Sequence, residues 1–150
     1  MTQDHWSQTL EALMEWMNFN DTLSDAVVVR RFMEVIARAP RADLVEGMGE
    51  PDPATIDRLL TAGASDALAM RLIGEDSGFF ASRGGAGDYL VSVVLAGRGV
   101  EMTAAGATLT RAIVGALALV LSQPGGAEHG PHEHGYAGLR GAATAGATLH

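Results

Sequence analysis

The chain has 150 residues, no cysteine and a net charge of −8, from 18 acidic residues against 10 cations, all of them arginine. A chain of this length supports a single core without disulfides or metal, and the missing cysteine excludes thiol catalysis, iron–sulfur ligation and thiolate zinc sites. An acidic balance with Arg30-Arg31 as its sole adjacent basic pair argues against nucleic acid as a partner, since phosphate binding needs concentrated positive charge.

Met1-Thr2-Gln3-Asp4-His5 has no cation and no apolar run of signal-peptide type behind it. The first predicted element is an amphipathic helix from Asp4 to Asn18, with Trp6, Leu10, Leu13, Met14 and Met17 at helical spacing and Glu11 and Glu15 opposite. Asn18-Phe19-Asn20-Asp21 is turn chemistry, and Ser24 or Asp25 can cap a second helix running to about Ala39, which Pro40 ends. The two helices are expected to form a hairpin over residues 1–40. Arg41 to Pro53 reads as a linker or loop with one helical turn around Leu44.

Asp52-Pro53 opens a third helix, with Asp as cap and Pro at the first helical position; Ser65 can cap a further one reaching Gly74. The period then changes. Phe79 to Ala81, Tyr89 to Leu95 and Val100 to Thr103 predict three strands, joined by the glycine turns Gly84 to Gly87 and Gly97 to Gly99. In the middle strand Leu90, Ser92 and Val94 face one way and Val91, Val93 and Leu95 the other, so both faces are expected to be covered. A last helix from about Thr108 to Ser122 is apolar almost all round, with Arg111 its only charge, and the N-terminal hairpin is expected to cover the side the sheet does not. Its longest apolar stretch, Ala112 to Leu121, is about half of the ~20 residues that cross a bilayer, so no membrane partner is expected and the cytoplasm is the expected location. Beyond Gln123 the composition is Gly, Ala and His, which predicts a disordered tail over 123–150.

Three groups of residues could carry chemistry. Glu128, His129, His132, Glu133 and His134 lie within seven residues, and imidazoles with carboxylates suit a borderline divalent ion, so weak zinc or nickel binding in the tail is the candidate metal site. The run Ser82 to Asp88 has the glycines of a phosphate cradle but leads into a strand rather than a helix, and reads as a hairpin turn. Glu75-Asp76, or Glu11 and Glu15, could pair as acid and base only within a shared cleft. No catalytic serine motif occurs, and no cofactor is called for.

The order helix, three strands, helix over residues 53–122 resembles the double-stranded RNA-binding domain, without the basic cluster that family carries at its last helix: Gly106-Ala107-Thr108-Leu109-Thr110-Arg111 offers one cation. The same stretch resembles small phage-encoded ABA-sandwich domain proteins, whose Gly-Ala-Thr before an Ala/Leu-rich helix matches Gly106-Ala107-Thr108 through Val120. That resemblance implies a mobile-element accessory protein with no assigned activity.

The sequence thus predicts an α+β fold, a three-stranded antiparallel sheet packed by helices in αβββα order over 53–122, after an N-terminal helical hairpin. The expected function is non-enzymatic: binding of a protein partner, or of a second copy as a homodimer, through an apolar helical face rimmed by acids, or action as an acidic mimic of nucleic acid. Metal handling by the tail and a small enzyme with a dispersed site, a hydrolase before other kinds, are the alternatives.

Overall fold

The computed structural model describes residues 1–124. Among them the architecture is α+β, five α-helices and one three-stranded antiparallel sheet whose spatial order follows the sequence. Helix α1 (Gln3–Phe19) is capped by Thr2, whose hydroxyl accepts from the His5 amide, and α2 (Asp25–Ala37) by Ser24, which accepts from Val27. Trp6, Leu10, Leu13 and Met17 bury one stripe of α1 against Val28, Val29, Phe32 and Val35 of α2 in a common core cluster. The Trp6 indole donates to the Val35 carbonyl at 2.9 Å, so the ring fills the core with its polar atom satisfied.

Helix α5 (Leu109–Ser122) is the centre of the molecule. One side packs on β2 (Tyr89–Val94) and β3 (Glu101–Gly106), the other on α1 and α2, and α4 (Ser65–Arg71) also touches it. That explains a helix with eleven buried residues in fourteen: polar groups would face protein on nearly every side. Gly115 permits the close seat, since a Cβ there would lie 3.1 Å from the Ala104 Cβ of β3.

Helix α3 (Pro53–Thr61) begins as expected, with Asp52 accepting from the Thr55 amide at 2.7 Å. Ser65 does not cap α4: Ala64 precedes that helix without a side-chain bond, and Ser65 is itself buried in the first turn. The segment expected as a linker is tied down. A 3₁₀ turn over Ala42–Val45 buries Leu44, Gly49 donates to the Leu72 carbonyl, and Gly74 donates to that of Gly47. A Cβ at Gly74 would lie 2.3 Å from the Gly47 oxygen, so only glycine allows the two backbones to pass. The Ser77 hydroxyl donates to Gly47 and accepts from Ala96, fastening this crossing to the end of β2.

Strand β1 (Gly78–Arg83) pairs with β2, and β2 with β3, Phe80 standing opposite Ser92 and Ser92 opposite Thr103. β3 runs to Gly106, three residues past the predicted end, because Ala104, Ala105 and Gly106 complete the ladder against Val91, Leu90 and Tyr89. The expectation that both faces of the sheet are covered is overturned. Val91 and Val93 are fully buried on the inner face, whereas Leu90 and Val94 on the outer face are exposed. α5 is occupied between the sheet and the α1–α2 pair, and among the described residues no element lies over the outer face.

Candidate functional site

Two arginines, Arg111 buried and Arg98 half-buried, fix the frame around this sheet. Arg111, near the start of α5, is 7% exposed and donates to the carbonyls of Met17 at 2.8 Å and of Asn20 and Leu23 at 2.9 Å each. Those are the terminal acceptors of α1 and its following turn, which carry no basic residue of their own, so α5 supplies the cation that α1 lacks. Thr108 caps α5 by accepting from the Arg111 amide and donates to Asp25 at 2.9 Å, which joins the same corner. At the other end of α5, Arg98 donates to the Val120 carbonyl at 3.2 Å and also to Leu44, placing positive charge at the helix C-terminus. Burial lowers the Arg98 pKa, against the opposing pull of Asp43 and Glu46. Both arginines are structural.

The outer sheet face is different in kind. Phe80 is 67% exposed, Leu90 44% and Val94 36%, and the ladder places them with Ala105 on one side of the sheet. Ser92 and Thr103 join hydroxyls across β2 and β3 at 2.6 Å, leaving the middle of the face polar but internally satisfied. Glu75, Asp76, Asp88 and Glu101 are exposed around it, so this apolar surface has an acidic rim but lies on the sheet, not on the helical face expected from the sequence.

Among the described residues the same region presents an open strand edge. At the hairpin end the Gly84 amide donates to the Asp88 carbonyl at 2.8 Å. By the alternation of an antiparallel ladder, Gly78, Phe80 and Ser82 therefore turn their amides and carbonyls to β2, and Phe79, Ala81 and Arg83 turn theirs away from it. β1 carries no proline, no lysine, and no charge before Arg83, the usual devices that blunt an edge. What such an edge can do chemically is accept another extended strand, with its phenylalanines as anchors.

Concavities lie elsewhere on the surface. A polar cleft of about 440 Å³ at the start of α5 is lined by Asp25, Asp66, Arg83, Tyr89 and Thr108, with the Arg83 guanidinium 5.6 Å from the Tyr89 ring centre. Glu11, Glu15, Glu75 and Asp76, the candidate acid/base residues, are all exposed, and none lines this cleft. A shallow groove of about 280 Å³ between α1 and α2 holds Trp16 between Arg31, Glu34 and Arg38. Ser82 to Asp88 forms the β1–β2 hairpin connection. Among the described residues no cluster of three metal-ligating side chains occurs and no helix is long and apolar enough to cross a membrane. The candidate ligands Glu128, His129, His132, Glu133 and His134 lie outside the described residues. No protein family, no curated protein and no solved structure matches the chain.

Proposed function

We propose that the protein is a non-enzymatic interaction module that binds another polypeptide on the outer face and free edge of its sheet. The observation that carries this reading is Phe80, 67% exposed beside Leu90 and Val94 on a face with no described element over it. A phenylalanine there adds nothing to the core, and large apolar side chains grouped on a surface mark a place that another molecule covers. The resemblance of residues 53–122 to phage-encoded ABA-sandwich domains agrees with an accessory role in a mobile element.

The test is a pair of surface variants, Phe80→Ser and Leu90→Ser. Partner retention on immobilised protein should fall at least about tenfold while the urea midpoint stays put. Retention unchanged in both would refute the reading.

A second reading, metal handling, rests on the close spacing of His129, His132 and His134 with Glu128 and Glu133. Zinc or nickel uptake measured by calorimetry should then vanish when the three histidines are replaced by alanine. Uptake that survives the replacement dismisses it.

A further inference from the structure

We infer that the partner at the β1 edge is a second copy of this chain, joined β1 to β1 about a two-fold axis into one six-stranded antiparallel sheet. The inference rests on the interaction reading above and names its occupant.

Geometry restricts how two such edges can meet. A two-fold axis normal to the sheet keeps outer face with outer face, so Phe80 must pair with a residue of its own parity. The edge-facing groups belong to Phe79, Ala81 and Arg83, so hydrogen-bonded pairs must be drawn from these. Pairing Phe79 with Ala81 of the second copy meets both conditions. It sets the two Phe80 rings directly opposite each other, in a non-hydrogen-bonded position where side chains approach most closely.

Charge supplies the second argument. β1 is acidic at its start, where Glu75 and Asp76 precede it, and basic at its end, where Arg83 closes it. All three are exposed. In this register Arg83 of each copy falls just beyond Gly78 of the other, at the turn that carries Asp76 and Glu75, so acid meets base at both ends. A parallel arrangement would set acid against acid. The strand is therefore complementary to itself in one direction only, which is the property an isologous interface requires. The inner face gains as well: Phe79, 45% exposed beyond the reach of α5, would be flanked by Ala81 of the second copy.

Sedimentation of the full chain tests this at about 0.15 M salt, where the general repulsion between two acidic proteins is screened beyond ~8 Å. The expected result is a concentration-dependent dimer. Ala81→Pro removes an amide that points to the open edge and none that points to β2, so it should leave the circular dichroism of the fold in place. Two bonds lost per dimer should raise the dissociation constant at least about thirtyfold. Arg83→Glu should weaken association independently, and combining it with Glu75→Arg and Asp76→Arg should restore it, which decides the matter if the proline variant fails to fold. A chain that stays monomeric to roughly millimolar concentration overturns the inference. So does a dimer indifferent to both Ala81→Pro and Arg83→Glu. A monomer that still retains a partner in a Phe80-dependent way overturns the second copy alone and leaves the interaction reading standing; a monomer that retains none removes both.

Discussion

The two faces of the sheet are built from the same alphabet and meet opposite fates. Val93 points inward and is fully buried; Val94, its neighbour in the chain, points outward and is 36% exposed. The inner face is closed by α5, which is itself closed by α1 and α2. The outer face carries Phe80, Leu90 and Val94 around a polar centre, with nothing described above it. Apolar character alone therefore does not distinguish a core from a docking surface. What distinguishes them is whether the chain has an element left to spend on covering that side.

The comparison can be broken most forcefully at Arg111, which holds the covering layers together. Arg111→Met keeps volume but leaves the Met17, Asn20 and Leu23 carbonyls without their donor, and should cost about 3 kcal/mol or more in urea unfolding. A loss below about 1 kcal/mol would mean that water replaces the guanidinium without penalty. The direct contrast comes next. Val93→Ala should destabilise by about 2 kcal/mol and Val94→Ala by less than about 0.5, so equal losses would show that the outer face is covered in solution. Thr108→Val removes both the cap of α5 and the bond to Asp25, for about 1–2 kcal/mol.

The smallest effect lies outside the sheet and sharpens the contrast by being local to one helix end. Hydrogen bonding from Thr55 holds the Asp52 carboxyl below the usual aspartate range, so it ionises more readily folded than unfolded. Its contribution is fully present above the unfolded value near ~4 and is lost as pH falls through the lower folded value. Asp52→Asn, which can still cap, should show a flatter fall in stability between about pH 5 and pH 2. A fall as steep as in the parent chain would assign the acid sensitivity to other carboxylates.

Much of this architecture is legible from residue order. Ser24, Asp52-Pro53 and Thr108 each mark a helix start that the structure confirms by a backbone amide donating to the side-chain oxygen. Glycine turns between β-branched and aromatic runs locate the three strands to within a few residues. Misreading begins where local pattern gives way to layer counting. Leu90, Ser92 and Val94 look like a covered face because periodicity reports apolar content, not how many helices remain to lie on it. Arg41 to Pro53 is the loop with one helical turn at Leu44 that its composition predicts, but its ties to Leu72 and Gly74 are backbone bonds that no side-chain pattern announces. Arg111 is a partial signal: a single charge in an otherwise apolar helix must find partners, though which carbonyls it finds depends on the fold. The open edge of β1 is visible only once strand order places it on the outside.

The latch at Arg111 has a consequence for how the molecule comes into being. It joins residue 111 to residue 17, across 94 positions, so the corner between the first two helices waits for the last one. During synthesis those helices emerge early yet remain unfastened until α5 has cleared the ribosome. Removing everything after residue 107 would not yield a smaller protein with one helix fewer. It would leave the opening hairpin and the inner wall of the sheet both bare, and an extended, aromatic strand exposed among them.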